Sequence, residues 1–477
     1  MFERKKMRNH DLMKWRAWGA LLLATSLIGT GCRAEPVAPA PAVLPVAPTA
    51  ALDAYIARPE PAYKWVKLPA PADAAGGGIM EVLGGGVTLS EIRVTSQEWQ
   101  GGAWSHRVQI FRPAKIKFPG TALLMVSYGR GTAEETMFGK LTANAIGAVF
   151  INVFNVPNQP LFGKREDDLI AHTLQKFIET GDVTWPLLFP MTKSAVKAMD
   201  AVNEFSTQEW QQPLTKFVVT GASKRGWTSW LAGAADKRVI GIIPTVYDNL
   251  NLHKQMPHQL ESWGEYSPQI KDYTQRGLQA ALATPRGQQL AALIDPWFYR
   301  DRLTMPKLII NATNDPYWSL DSFNLYREDL KGQTNVLYLP NVGHDLAGQE
   351  QNAAISGAMW FQRVAAGKTL PEVKLEAGKI KADDSRDFVL SVSAAKEVKA
   401  ARLWVVRSAT RDFRDAKWRE IRDMRVEEQG VYDAVVPAAP EGMKYTAVIG
   451  DIELATEGSP LPLHLSSPVI IWGDGAK

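Results

Sequence analysis

Six apolar runs of strand length constrain this chain more than any other feature. They are "TALLMVSYG" (121–129), "AIGAVFINV" (145–153), "KFVVTGAS" (216–223), "VIGIIPTVYD" (239–248), "PKLIINATND" (306–315) and "TNVLYLPNVGHD" (334–345). A strand with one wet face alternates polar and apolar residues, whereas a continuous apolar run is expected where both faces are covered. Between the runs, "EDDLIAHTLQKFIETG" and "PMTKSAVKAMDAVNEF" carry apolar residues three and four apart, the spacing of a helix with one buried face. Strand alternating with helix predicts a mostly parallel sheet flanked by helices. Upstream, "LSEIRVTSQEW" and "WSHRVQIFRP" alternate around "QGGA" and predict an antiparallel hairpin.

The rhythm breaks twice. Residues 249–305, beginning "LNLHKQMPHQLESWGEY", form an aromatic, helix-prone insertion between two core strands, suited to a lid or pocket wall. From 372 onward, "RDFVLSVSA", "ARLWVVRS", "VYDAVVPA", "KYTAVIGDIEL" and "PVIIWG" are short strands at regular spacing, as in a small β-sandwich over 372–477. The expected architecture is an α/β body at 51–371 plus that sandwich. A length of 477 residues, 45% of them hydrophobic, supports two such cores. The glycine-rich "AGGGIMEVLGGG" (75–86) reads as turns, because no lysine-bearing strand-loop-helix surrounds it. A net charge of +4, with no basic-aromatic stripe, argues against nucleic acid as a partner.

Residues 1–32 read as an export leader: "MFERKKMRNHDLMKWRAW" is basic and "GALLLATSLIGTGC" is an apolar stretch too short for a comfortable membrane span. Cys32, the single cysteine, stands where a bacterial lipoprotein is cleaved and acylated, although Gly29 occupies the position where such signals usually carry leucine. The lipoprotein reading is preferred over an ordinary secretory signal. The expected location is the periplasm or a membrane-anchored state, with secretion an alternative and an N-terminal lipid the only membrane contact. The Pro/Ala-rich 33–50 is an extended spacer.

The chemistry centres on "TGASKRGW" (220–227). Ser223 follows the strand "KFVVT" and precedes a helical stretch rich in small residues, the strand-turn-helix setting of a nucleophile elbow. A serine nucleophile needs a base, and the base needs an acid to orient it. His344 and Asp315 close two later strand runs. The order Ser223, Asp315, His344 is that of α/β-hydrolases. Among the seven histidines only His253 and His258, in the insertion, rival His344. The oxyanion hole is expected to use the backbone amide of Lys224 with that of Gly129 or Arg130 in "VSYGRGTAEE". Arg225 stands where the usual Gly-x-Ser-x-Gly pattern has its second glycine, and Gly226 is the residue expected to take over that glycine's close packing.

The segments "GASKRGWTSWLAGAADKRVIGIIPTVYDNLNLHKQ", "LIINATNDPYW", "LPNVGHDL" and "LDAYIARPEPAYKW" resemble the PhoPQ-activated pathogenicity-related proteins, exported bacterial members of the α/β-hydrolase fold. The resemblance implies Ser223 in the nucleophile position, with Asp315 and His344 at the matching Asn-Asp and Gly-His segments. It implies no particular substrate. The elbow is also similar in shape to that of glucuronoyl esterases, by analogy only.

These residues together predict a serine hydrolase cleaving an ester, amide or peptide bond of a small-molecule or peptide substrate, with no cofactor. Trp227, Trp263, Tyr266 and Trp318, joined by Trp297, are the expected pocket wall. Lys224 and Arg225 are expected to pair with the acidic "EDD" at 166–168 or with Asp248 rather than to bind an anionic substrate. A metal site at Asp248, His253 and His258 is disfavoured, since a five-residue interval does not set two histidines on one helix face. The competing class is a binding or signalling protein on an idle hydrolase scaffold.

Overall fold

The computed structural model of the protein describes residues 48–69, 85–421 and 424–473. The leader, Cys32, most of the spacer and most of the glycine-rich stretch lie outside the described residues.

Helix α1 (Pro48–Ala57) and strand β1 (Lys64–Lys67) precede a long hairpin of β2 (Thr88–Trp99) and β3 (Gly102–Arg112). Its turn residues, Gln100 and Gly101, both have positive φ (49° and 76°), the geometry that matches the right-handed twist of paired strands. The chain then alternates through β4 (Thr121–Val126), α2 (Ala133–Ile146), β5 (Val149–Val153), α3 (Glu166–Thr180), α4 (Leu188–Trp210), β6 (Lys216–Ala222), α5 (Lys224–Ala235) and β7 (Val239–Thr245). The insertion follows, with α6 (Leu252–Trp263), two single helical turns and α7 (Pro285–Ile294). Strands β8 (Lys307–Ala312) and β9 (Thr334–Leu339) and helix α8 (Glu350–Ala365) complete the body.

Strands β5, β4, β6, β7, β8 and β9 lie side by side and all run parallel, with the hairpin and β1 added antiparallel at the β5 edge. Successive residues face opposite sides, which explains the unbroken apolar runs. Leu123, Val218 and Ile310 pack in one core with Ala143 of α2 and Trp360 of α8. Their neighbours Leu124, Val219 and Ile309 pack in the other with residues of α3, α4 and α5. Chain order turns back at β4: β5 lies on one side of it and β6 on the other. Crevices at the carboxyl ends of strands beside such a reversal are where ligands bind in open α/β sheets. The architecture is the α/β-hydrolase fold with a helical insertion between β7 and β8.

One predicted run is shorter than expected. Ala145 and Ile146 belong to α2, which ends at Gly147 (φ 64°); a buried helix end and a buried strand start are both apolar, so pattern alone does not divide them.

The C-terminal part is an antiparallel sandwich. Strands β10 (Val373–Ile380), β11 (Arg386–Val392), β14 (Arg425–Glu428) and β15 (Val431–Val436) form one sheet, in the order β10-β11-β15-β14. Strands β12 (Val398–Ser408), β13 (Arg419–Ile421), β16 (Tyr445–Thr456), β17 (Ser459–Ser466) and β18 (Ile470–Gly473) belong to the other. Phe388, Leu403, Val405, Val436 and Val448 fill the space between them. The second sheet is not detached: β17 joins the body through a Ser466–Val336 pairing with β9, and the described residues belong to one compact unit. β17 carries Pro460 and Pro462, which argue against an interior strand; both prolines precede the end that meets β9.

Candidate active site

The elbow begins as a strand. β6 is buried on both faces and ends in Gly221-Ala222, after which Ser223 adopts φ 56° and ψ −125°. A non-glycine residue in this region costs about 1–3 kcal/mol, so the surroundings must hold it there. They do so through the backbone: the Ser223 amide donates to the Thr245 carbonyl at 2.8 Å, and the Trp227 amide donates to the Ser223 carbonyl at 3.0 Å. Ser223 is thus the N-cap of helix α5, so the hydroxyl sits at the helix's amino-terminal end.

The two partners arrive on the loops after β8 and β9. Asn341 donates its amide to Thr313 Oγ1 at 3.0 Å, and Asn314 donates its amide to the Val342 carbonyl at 3.1 Å, which ties those loops together. His344 Nδ1 lies 2.8 Å from Asp315 Oδ2, and His344 Nε2 lies 2.9 Å from Ser223 Oγ. Asp315 is buried, and its other oxygen accepts the Tyr317 amide at 2.8 Å. The Tyr317 ring lies against the imidazole with centroids 4.1 Å apart. Ser223, His344 and Asp315 therefore form one continuous hydrogen-bonded chain.

Lys224 and Arg225 are both buried, and both turn to the start of α3. Arg225 makes a two-pronged pair with Glu166, at 2.6 and 2.7 Å, and donates Nε to the Val156 carbonyl at 2.6 Å. Lys224 Nζ sits 3.1 Å from both Glu166 Oε2 and Asp167 Oδ2. Burial alone would raise the Glu166 carboxyl, but the two cations outweigh it and hold the group down at about 2. Both cations are spent on the acidic run at 166–168, and Asp248 is not their partner. Asp248 instead accepts from Tyr326 Oη at 2.6 Å and Asn311 Nδ2 at 2.8 Å, and burial pushes its carboxyl up to about 7.

The loop after β4 sorts the two candidate oxyanion donors. Glu135 caps α2 and accepts the amides of Arg130 (3.2 Å), Gly131 (2.8 Å) and Thr132 (2.7 Å). The Arg130 amide is thereby engaged by the Glu135 carboxylate. A Cβ at Gly129 would lie 1.7 Å from Glu135 Oε1, so only glycine fits under that carboxylate.

A narrow pocket of about 80 Å³ opens beside Ser223. Trp227 and Trp318 line it, with Tyr247, whose ring stacks on Trp227 at 5.0 Å. Trp263 and Tyr266 are half-buried elsewhere: the Arg414 guanidinium covers the Trp263 ring at 4.2 Å, and neither residue lines the pocket. Trp297 donates to Asp329 at 2.7 Å, also away from it. Tyr317 and the leucines of the insertion were missed. Tyr317, two residues after Asp315 in "NDPYW", carried a positional signal; the leucines looked like any helix core. His253 packs near Phe298, and His258 bonds to Asp321 at 2.7 Å, so neither converges with Asp248. Among the described residues no cluster of acidic, histidine or cysteine side chains could hold a metal ion.

The chain is 33% identical over 327 residues to autocrine proliferation repressor protein A of Dictyostelium discoideum, a match that covers 64% of this chain and 63% of that protein. Among solved structures, it is similar to an acetyl xylan esterase from Paenibacillus sp. R4 at 12% identity, covering 65% of this chain and 92% of that one with a TM-score of 0.44. Acetyl xylan esterase 1 from Thermoanaerobacterium is 13% identical, over 64% of this chain and 92% of its own, with a TM-score of 0.42. Residues 80–414, from the hairpin through the elbow and both partner loops into the sandwich, match the PhoPQ-activated pathogenicity-related protein family, and the chain belongs to that family.

Proposed function

We propose that the protein is a serine hydrolase that cleaves an ester, amide or peptide bond through an acyl-enzyme. The observation that carries this reading is the Asp315–His344–Ser223 hydrogen-bond chain, at 2.8 and 2.9 Å, ending on a strained elbow above an apolar pocket. A carboxylate accepts only, so Asp315 fixes the proton on His344 Nδ1 and leaves Nε2 to take the Ser223 proton as Oγ attacks the carbonyl. His344 then returns that proton to the leaving group. The Lys224 amide, with Gly129 as the second donor, steadies the oxyanion; losing one such donor costs about 3 kcal/mol of transition-state stabilisation. Water repeats the sequence on the acyl-enzyme.

The test is labelling with a fluorophosphonate probe together with hydrolysis of p-nitrophenyl esters and aminoacyl-arylamides. The wild type is expected to label and turn over, and Ser223→Ala to lose labelling and about 10⁶ in kcat. Labelling that survives the substitution, or fails in the wild type, would sink the nucleophile assignment. That outcome would favour a binding or signalling role, which the name of the Dictyostelium relative also suggests. The same reading takes residues 1–32 as an export leader with Cys32 acylated, and mass spectrometry of the mature N-terminus would find either a lipidated Cys32 or a free cleaved end. Among the described residues no helix is long and apolar enough to cross a membrane.

A further inference from the structure

Resting on the serine-hydrolase reading, we propose that the slot beside Ser223 binds the acyl side of the substrate and selects an uncharged apolar acyl group of about five to eight non-hydrogen atoms. The size follows from the space: a water position needs about 10–15 Å³, and the slot offers about 80 Å³. Its walls are Trp227, Tyr247 and Trp318 on the body side and chiefly Leu252, Leu278 and Leu290 from the insertion.

Charge has no partner there. Lys224 and Asp167 reach the wall but are paired with each other, and Tyr273 Oη is spent on Asp167 at 2.9 Å. Three further wall residues bury a polar oxygen without a hydrogen-bond partner among the described residues: Asn249 and Gln279 an amide oxygen, and Tyr247 its Oη. These are neutral dipoles, and neither a carboxylate nor an ammonium entering the slot would meet a free opposite charge in exchange for the water it gives up.

The side of the bond follows from which catalytic groups the slot contains. The leaving group must come within hydrogen-bond reach of His344 Nε2, which protonates it. Ser223 and Lys224 line the slot and His344 does not. The group held in the slot is therefore the one that stays on Ser223 Oγ in the acyl-enzyme.

The test is kcat/KM for p-nitrophenyl acetate, butyrate, hexanoate and dodecanoate, with the mono-succinate and 6-aminohexanoate as charged controls. We expect a rise of up to about fourfold per methylene through hexanoate, then none. Each charged ester should fall at least tenfold below its uncharged counterpart. Lengthening the alcohol instead, from ethyl to hexyl acetate, should change kcat/KM less than twofold. Leu278→Trp, which fills the slot, should cut the hexanoate-to-acetate ratio at least tenfold. Indifference to acyl length, equal use of a charged ester, or a preference that follows the alcohol overturns the proposal while Ser223 labelling keeps the hydrolase reading intact. Absence of labelling removes that reading and the acyl role with it; titrating 1-hexanol against hexylamine on Ser223→Ala then reports whether the slot still selects apolar, uncharged groups.

Discussion

Arg225 occupies the place of a glycine without doing a glycine's work. That work is close approach, and two other positions do it. A Cβ at Gly221 would stand 2.7 Å from the Arg225 carbonyl oxygen, and one at Gly226 would stand 3.0 Å from Tyr247 Cβ and 3.1 Å from the Thr245 carbonyl oxygen. The Arg225 side chain is free to leave the turn and clamp Glu166, so the elbow is tied to the start of α3. Glu166→Ala leaves a buried guanidinium with half its partners. We expect a loss of about 1–3 kcal/mol, less than for a fully enclosed pair because Glu166 is 37% exposed, read as a lower midpoint in chemical denaturation. The pH dependence has a definite sign. The Glu166 carboxyl is depressed from 4.5 to about 2 on folding, so its contribution is present above about pH 4.5 and is lost as the pH falls toward 2. The stability difference between wild type and Glu166→Gln should accordingly be constant near neutrality and shrink below pH 4.5; a difference that grows on acidification would contradict the clamp. From the sequence, the pairing of these cations with 166–168 could be expected, because a basic residue beside a serine elbow either meets an acid or faces substrate. Which acid it meets depended on where α3 begins.

At the scale of elements, the acid and histidine loops are held from outside the α/β body. Asn314 donates Nδ2 toward the carbonyls of Phe413, Arg414 and Ala416, at 3.1, 3.0 and 2.7 Å. Asn341 exchanges two hydrogen bonds with the Trp418 backbone, at 3.1 and 2.8 Å. All four contacted residues belong to the connection between β12 and β13, so one loop of the sandwich grips the residue before Asp315 and the loop that carries His344. Displacing catalytic groups by about 1 Å costs roughly 10²-fold in rate. Asn314→Ala is therefore expected to lower kcat by about that factor with KM little changed, and to slow fluorophosphonate labelling in parallel. A lower melting temperature with kcat intact would mean that the contact only stabilises. Nothing in "NATND" or "LPNVGHD" announces this, since asparagines after a strand are ordinary turn residues until the opposing loop is known.

Over the whole molecule, the sandwich and the body share a core. Leu390, Ile452, Leu454 and Leu463 of the sandwich strands pack in one cluster with Leu337, Met359 and Trp360 of the body. Ser466 Oγ also accepts the Tyr338 amide at 3.0 Å, and Asp321 bridges His258 of the insertion and Arg411 of the sandwich, at 2.7 and 2.6 Å. A chain ended at residue 371 would expose that cluster and the β9 edge, and we expect it to aggregate or to lack a cooperative thermal transition; a soluble, cooperatively melting, active fragment would contradict the shared core. The sequence by itself determined the parallel sheet, the hairpin, the sandwich strands with continuous apolar character, and the three strand ends that carry Ser223, Asp315 and His344. Those are local: periodicity sets the elements, and chemistry sets the residue types a strand end can use. The tertiary structure alone decided that Arg130 spends its amide on Glu135, that Trp263 lies under Arg414 rather than in the pocket, that leucines of the insertion form the slot, and that the sandwich continues the body's sheet. Each of these depends on which surfaces meet across long stretches of chain, and a side chain's periodicity records that it is buried but not against what.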